Sequence, residues 1–307
     1  MNSCFFLIVG LVRDCASTVG KDLEKIQKSF RDAGEVSFFL VESDSSDNTV
    51  AILESVKQQN FSIDYVSLGG LAGSYPKRTD RIAFCRNRCL EEIVRPKYRN
   101  VDYVVVADFD GINNKLTPES VRSCWNRDDW DVCCANQLGP YYDIWALRHD
   151  RWSPNDCWRT RSFLEEHGAD RFIAAVSAVY SRMITINIDS DWIEVDSAFG
   201  GLAIYKRRCF GSVYYVGLDD DGEEVCEHVS IHRQIRETGG RIFINPALIN
   251  AGVVEHARSA TSFGLSRLWM RSQLERLALI FFSRLTLKRV KEHLFRWERS
   301  SISRKRG

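Results

Sequence analysis

The sequence predicts an α/β fold with a mostly parallel central sheet flanked by helices. Through about the first 120 residues, apolar β-branched runs alternate with amphipathic segments, which is the pattern of parallel strands joined by helices. The run Val104–Ala107 ends in Asp108-Phe109-Asp110, and open α/β sheets bind ligands where their strands end. With 307 residues, 44% of them hydrophobic, the chain can bury a core of this kind.

The elements of the first half follow one another regularly. Continuous apolar runs predict strands at 5–12, 36–41, 63–66 and 104–110. Apolar residues at helical spacing predict helices within 19–30, 50–56 and 82–93. Thr117-Pro118-Glu119 supplies the cap, the N1 proline and the acidic first turn of a fourth helix.

The second half is less regular. We predict strands at 132–135, 142–147, 192–195, 202–205 and 241–244, and a helix at 225–237. The segment 148–167 has no clear period and is predicted to be a long loop that faces the substrate. We expect the sheet to end near His256.

Charge and cysteine content narrow the class of protein. The formal net charge is +1, but residues 257–307 hold thirteen Lys or Arg and three Glu, so this tail carries +10 and the remainder −9. Basic residues interleaved with Leu, Phe and Trp predict an amphipathic helical tail on an anionic membrane surface, with an oligomerisation helix as the alternative. Ten cysteines without zinc spacing, and no signal or membrane-spanning pattern, predict a cytoplasmic protein at the membrane periphery.

Asp108 and Asp110 are the first candidate site. Alternate strand residues point the same way, so the two carboxylates are expected to share one target. Hard oxygen ligands suit Mg²⁺ or Mn²⁺ carrying a phosphorylated substrate. The simpler alternative is that both residues cap a turn with Gly111. Arg81, Arg86 and Arg78 are candidates for binding a diphosphate, because guanidinium matches phosphate geometry. The alternative is that these arginines belong to a solvated helix face.

Several short motifs carry a family resemblance. In order along the chain, a GT-A glycosyltransferase is resembled by the loop 42–49, Arg86-Asn87, Asp108-Phe109-Asp110, Phe199-Gly200-Gly201, Glu227-His228-Val229 and His256. More closely, the chain resembles the fungal capsule-associated mannosyltransferase family and its bacterial relatives, through Leu11-Val12-Arg13-Asp14, the loop 42–49, the segment 142–148 and Cys226-Glu227-His228-Val229. The resemblance implies one domain over 1–256, with a nucleotide-binding half (1–115), an acceptor half (116–256) and a tail at 257–307.

The resemblance also implies roles for particular residues. Asp110 would bind the metal directly, Asp108 would bind it through water or hold the ribose, and His256 would complete the metal site. Arg13, Glu42 and Asp44 would contact the nucleotide, although the loop that holds Glu42 and Asp44 also has the composition of a helix cap.

Related inverting enzymes carry Glu-Asp where this chain has Glu227-His228. Glu227 is therefore the candidate base, unless the enzyme retains configuration, as the resembled family does, or Glu227 only caps its helix. Asp196 is a further candidate near the acceptor. The acceptor platform is predicted to include Trp145, Arg148, Trp152, Gly200 and Gly201, with core packing as the alternative for Trp145.

The implied function is transfer of a sugar, with GDP-mannose as the suspected donor, to a glycan or lipid-linked acceptor in capsule, lipopolysaccharide or other cell-surface polysaccharide synthesis. No nucleic-acid motif is present in the tail. Two alternatives stay open. One is a haloacid-dehalogenase-type phosphatase that uses Asp108 and Asp110, with Asp219-Asp220-Asp221 as its late acidic motif. The other is a non-catalytic carbohydrate-binding protein.

Overall fold

The computed structural model describes residues 3–59 and 61–260, and beyond them only 264–267, 269–270 and 273–274. Within these ranges one sheet contains strands β1 Phe5–Val12, β2 Glu35–Glu42, β3 Ile63–Ser67, β4 Tyr103–Ala107, β5 Val132–Gln137, β6 Ile193–Val195, β7 Leu202–Lys206 and β8 Ile242–Ala251. The strand order is β3-β2-β1-β4-β7-β5-β8-β6, and only β7 and β6 pair antiparallel with their neighbours. The predicted α/β class with a mostly parallel sheet is confirmed.

Helices cover both faces of this sheet. They are α1 Val19–Ser29, α2 Thr49–Gln58, α3 Arg78–Ile93, α4 Pro118–Arg122, α5 Cys157–Glu166, α6 Arg171–Ala178 and α7 Glu227–Glu237. Alternate residues of β1 enter opposite cores: Leu7 packs in the cluster that contains α3 residues, and Ile8 in the cluster that contains α1 residues. The continuous apolar runs of the sequence therefore mark strands that are buried on both faces.

Two local predictions of the second half are wrong. Residues 142–147 form a turn instead of a strand, because side chains hold the backbone there: the Asp143 carboxylate accepts the Gly200 N–H (3.0 Å), and the Arg148 guanidinium donates to the carbonyls of Trp145 and Leu147. The segment 148–167 is not one long loop. Its last part is α5, whose N-cap Asp156 accepts the backbone N–H groups of two following residues.

The end of the chain is covered only in part. The sheet ends at Ala251, close to the predicted limit. A 3-10 helix follows at Glu255–Ala260, and the described residues at 264–267, 269–270 and 273–274 are helical. The rest of the predicted tail, including 275–307, lies outside the described residues. No helix within the described ranges is long and apolar enough to cross a membrane. All ten cysteines are free thiols.

Candidate active site

The Asp108-Phe109-Asp110 turn leaves the end of β4 and is fixed by backbone contacts. The Asp108 N–H donates to the Gly201 carbonyl (3.0 Å), and the Asn113 amide donates to the Asp108 carbonyl (2.8 Å). Asp110 Oδ1 accepts the Ile112 N–H at 3.2 Å, so Asp110 does cap the turn. The other oxygen of this exposed carboxylate has no part in that bond, so capping and ligand binding are compatible.

Arg86 lies at the centre of the site. Its Nε donates to Glu227 Oε1 (2.9 Å), and its Nη2 lies 3.5 Å from Asp108 Oδ1. The guanidinium also lies over the rings of Phe199 and Tyr215, at 5.3 and 5.8 Å from their centroids. One buried cation on α3 thus joins the end of β4 to the first residue of α7.

Negative charge at this point exceeds the positive charge that faces it. Burial raises the pKa of Asp108 to about 7, with the Arg86 charge opposing and the charges of Asp110, Asp143 and Glu227 adding to the rise. Burial also raises the pKa of Asp143, against the hydrogen bonds from the Gly200 and Ala146 N–H groups. The side chain of Asp108 is still 36% exposed, because it opens into a cavity.

These carboxylates fit a divalent cation. A hard cation among the oxygens of Asp108, Asp110 and Asp143 would offset both the burial of the Asp108 charge and the repulsion from its neighbours, which together raise the Asp108 pKa. Among the described residues no three His, Cys, Asp or Glu side chains already form a preassembled metal-binding group. The fit therefore rests on the chemistry of the donors. The side chain of His256, the predicted third ligand, lies outside the described residues.

A cavity of about 980 Å³ opens over this acidic group. It lies at the carboxyl ends of β1 and β4, the edge that the sequence predicts. Four cationic residues line it: Arg13, Arg78, Arg86 and Lys115. The remaining lining includes Tyr142, Trp145, Trp158, Tyr180, Phe199 and His228. The cavity thus combines an acidic floor, cationic side chains and aromatic walls, which is what a charged ligand with a ring system requires.

Other predicted nucleotide contacts lie outside the cavity lining. Glu42 is buried, and its two carboxylate oxygens bind the Ser45 N–H and the Ser67 hydroxyl. One oxygen of Asp44 accepts two backbone N–H groups, from residues 71 and 72. Arg81 donates to two backbone carbonyls, those of residues 75 and 76. In this structure all three side chains shape loops.

Most of the predicted acceptor residues also have structural partners. Asp196 pairs with Arg236 (2.8 Å) away from the cavity. Trp145 lines the cavity, and its indole N–H and the Arg148 guanidinium both donate to the Asp156 carboxylate that caps α5. Trp152, which is not part of the cavity lining, donates to the carbonyl of residue 182.

Gly200 and Gly201 have positive φ angles of 73° and 86°. A Cβ on Gly200 would lie 2.8 Å from the Ala135 carbonyl oxygen, so no larger residue fits without movement. Through its carbonyl, Gly201 holds the Asp108 N–H. Gly201 therefore positions the acidic turn, and the Gly200 N–H binds the Asp143 carboxylate.

Glu227 and His228 line the cavity at the start of α7. His228 stacks on Phe199, with centroids 3.8 Å apart, and its Nε2 lies 3.6 Å from Glu227 Oε1. Burial, aided by the Arg86 charge, lowers the pKa of His228 well below its usual range. Neither ring nitrogen has a hydrogen-bond partner among the described residues. His228 is thus a neutral imidazole in an aromatic wall.

Sequence reasoning missed Asp143 and Lys115. Asp143 stands within 142–147, where an apolar strand was predicted, and one carboxylate inside an apolar run was the available signal. Lys115 follows the acidic turn at a distance of five residues from Asp110, and its N–H donates to the Asn250 carbonyl (2.8 Å). No local pattern marks Lys115 as part of the site.

No protein-family model matches the chain, and no curated protein matches its sequence. Solved structures share its fold distantly. The Pyrobaculum calidifontis mannosyltransferase PcManGT, in complex with GDP-Man and Mn²⁺, is 13% identical over 80% of this chain and 56% of that chain, with a TM-score of 0.46. The Mycobacterium tuberculosis glucosyl-3-phosphoglycerate synthase, in complex with Mn²⁺, UDP and glucosyl-3-phosphoglycerate, is 13% identical over 89% and 80%, with a TM-score of 0.43.

The S. aureus protein TarS is also similar. Its 1–349 structure with UDP-GlcNAc is 13% identical over 87% of this chain and 66% of that chain, with a TM-score of 0.44. This chain spans 57% of another TarS 1–349 structure and 34% of a longer TarS chain. At these identities and TM-scores the likenesses assign no activity, which has to be argued from the cavity.

Proposed function

We propose that this protein is a metal-dependent glycosyltransferase of the GT-A type that moves a sugar from a nucleoside diphosphate to an acceptor hydroxyl. The observation that carries the proposal is the composition of one cavity. Its floor holds carboxylates whose negative charge is only partly balanced by Arg86, which suits a divalent cation. Arg13, Arg78 and Lys115 offer positive charge for a diphosphate. A volume of about 980 Å³ has room for a nucleotide and a sugar together.

Each group has a distinct task in this proposal. Asp110 and Asp108 hold Mn²⁺ or Mg²⁺, with Asp143 beside them. When bound, this cation neutralises charge on the leaving diphosphate. The cationic residues orient the diphosphate, and Arg86 keeps the Asp108 and Glu227 carboxylates in fixed positions. The aromatic walls exclude water and offer faces for stacking.

We further propose that transfer proceeds with retention of configuration. An inverting enzyme needs a carboxylate that is free to take the proton of the acceptor hydroxyl. Glu227, the candidate base, is instead hydrogen-bonded through Oε1 to the buried Arg86 guanidinium at 2.9 Å, so this carboxylate is not free for that task. Its neighbour His228 is neutral, and its nitrogens are buried. Glu227 is therefore assigned a positioning role.

The finer proposal follows the family resemblance. The donor is GDP-mannose, the enzyme is a hexosyltransferase, and the acceptor is a glycan or a lipid-linked sugar in cell-surface polysaccharide synthesis. The basic tail is proposed to hold the enzyme at the cytoplasmic periphery of an anionic membrane.

The phosphatase alternative is less well supported. Such an enzyme needs the late acidic motif beside the Asp108 nucleophile. Asp219 instead pairs with Arg159, and none of residues 219–221 lines the cavity. A non-catalytic carbohydrate-binding protein would not need the cationic side chains of Arg13, Arg78 and Lys115, which suit a diphosphate, beside these carboxylates.

A thermal-shift screen tests the proposal. The full chain is heated with Mn²⁺ and each nucleoside diphosphate, and a ligand at a hundred times its dissociation constant adds about 2.7 kcal/mol to the stability. We expect GDP to stabilise the protein with Mn²⁺ and far less without it. Asp110→Asn should remove the effect of Mn²⁺, whereas Asp220→Asn, an exposed residue outside the cavity, should keep it. The proposal fails if no nucleotide responds, or if both variants behave alike.

A further inference from the structure

A second, smaller cleft lies beside the cavity. It has a volume of about 350 Å³, and four of its lining residues are aliphatic: Leu138, Ile186, Ile188 and Ile249. The other lining residues are Gln137, Thr185 and Asn187, so no charged side chain faces it. Ile186 and Ile249 are buried and form its floor, whereas Leu138 and Ile188 are 57% and 47% exposed and form its edges.

Three stretches of chain connect this cleft to the cavity. Residues 137 and 138 line the cleft, and residues 142 and 143 line the cavity. Met183 lines the cavity just before the cleft segment 185–188. Ile249 lines the cleft just before the cavity segment 252–255. Val253, which lines the cavity, packs against position 139, where a Cβ would meet its Cγ2 at 2.8 Å. The two spaces are therefore adjacent parts of one surface.

Further apolar side chains are exposed along the chain after the cleft residue Ile249. Val253 is 56% exposed between the cavity and the 3-10 helix Glu255–Ala260. The helical residues that follow expose Trp269, Met270 and Leu274. Residues 257–307 carry the charge of +10. Exposed apolar side chains together with this basic segment are complementary to an anionic amphiphile.

We propose that the cleft of Leu138, Ile186, Ile188 and Ile249 binds the alkyl chain of a lipid-linked acceptor, whose sugar hydroxyl then enters the cavity. This inference rests on the proposed glycosyl transfer and adds that the acceptor is an amphiphile. An uncharged aliphatic cleft gains free energy from an alkyl chain, whereas a free oligosaccharide would leave its apolar surface in contact with water. Because the cleft adjoins the cavity, a chain bound there would fix the distance between the lipid and the reacting hydroxyl.

Alkyl maltosides are suitable probes. The full chain is titrated by calorimetry with octyl, decyl and dodecyl maltoside, each below its critical micelle concentration. We expect the affinity to rise by up to about fourfold for each added methylene group until the cleft is filled. Leu138→Asp and Ile188→Asp should abolish the dependence on chain length. Ile173→Asp is the matched control, because Ile173 is 53% exposed on α6 and does not line the cleft.

The proposal is overturned if affinity does not depend on chain length, or if Ile173→Asp lowers it as much as Ile188→Asp. It is also overturned if Ile188→Asp changes only the sedimentation coefficient, since the cleft would then bind a second copy of the chain. Melting temperatures of the variants establish that they fold. Titrations of the parent and the same variants with GDP and UDP in the presence of Mn²⁺ measure nucleotide binding in the cavity separately. If neither the parent nor any variant binds a nucleotide, the proposed function is refuted, while the maltoside series still measures binding in the cleft.

Discussion

Replacing Arg86 by methionine is expected to lower the free energy of unfolding by about 3–5 kcal/mol. The guanidinium is buried and bonds Glu227 at 2.9 Å, with Asp108 at 3.5 Å. Methionine fills similar space without charge, so it leaves the Glu227 carboxylate buried and unpaired. The cost therefore comes mainly from the desolvated charge and less from lost packing.

Two further measurements separate charge from packing. Adding Glu227→Gln to Arg86→Met removes the stranded charge, so the double variant should recover a large part of the loss. Lower pH should also narrow the deficit of the single variant, because the Arg86 charge opposes the rise of the Asp108 pKa, so without Arg86 this pKa lies further above its parent value of about 7. A carboxyl group with a raised folded pKa binds more protons when folded, so its stability penalty falls as pH drops from about 7 towards 4.

Urea unfolding at pH 7.5 and pH 5, followed by tryptophan fluorescence, measures these differences. Arg88→Met is the matched control on the same helix, because among the described residues Arg88 forms an ion pair with the exposed Glu91 alone, and its loss should cost less than about 1 kcal/mol. The reasoning is refuted if Arg86→Met costs no more than Arg88→Met, or if its deficit is the same at both pH values.

Three other predictions concern separate parts of the molecule. Burial lowers the pKa of His232 to about 3, so between pH 6.5 and pH 5 only the unfolded chain takes up a proton at this residue, and the parent loses stability. In urea titrations over this pH range, the free energy of unfolding of His232→Gln should therefore fall by about 1.5–2 kcal/mol less than that of the parent. Gly200→Ala should lower the free energy of unfolding by about 2–3 kcal/mol, because Gly200 has a positive φ and the new Cβ would meet the backbone. Gly211→Ala should change the same quantity by no more than about 0.5 kcal/mol, because the space around its Cβ is open. Lys115→Ala should weaken GDP binding by about tenfold or more in calorimetry, and Arg81→Ala, outside the cavity, should not.

Local patterns in the sequence predicted the first half of the fold well. The apolar runs at β1, β2 and β4 are long and buried on both faces, so their period carries the information. Helical spacing also distinguishes the α3 arginines that line the cavity from Arg81, which does not. Arg78, Ile82 and Arg86 are four residues apart and line the cavity from one face of α3, whereas Arg81 stands off that face and binds loop carbonyls.

The second half depends on contacts that no local pattern encodes. The turn at 142–147 has an apolar sequence that suits a strand, but the Asp143–Gly200 contact joins residues 57 positions apart. The pairing of Arg86 with Glu227 spans 141 positions. Carboxylates at such sequence separations become neighbours only when the sheet brings them together, and this explains why Asp143 was missed while the adjacent pair Asp108 and Asp110 was found.

The strand order explains why the site needs both halves of the chain. Strand β7, from the second half, pairs with β4 and begins directly after Gly201, so the Asp108 N–H is held by a carbonyl from beyond residue 200. Arg86 adds a second connection, from α3 to Glu227 on α7. A fragment that ends at residue 115 would keep both aspartates of the motif but lose the Gly201 carbonyl that accepts the Asp108 N–H. The acidic pair is therefore a property of the sequence, whereas its position in the cavity is a property of the whole sheet.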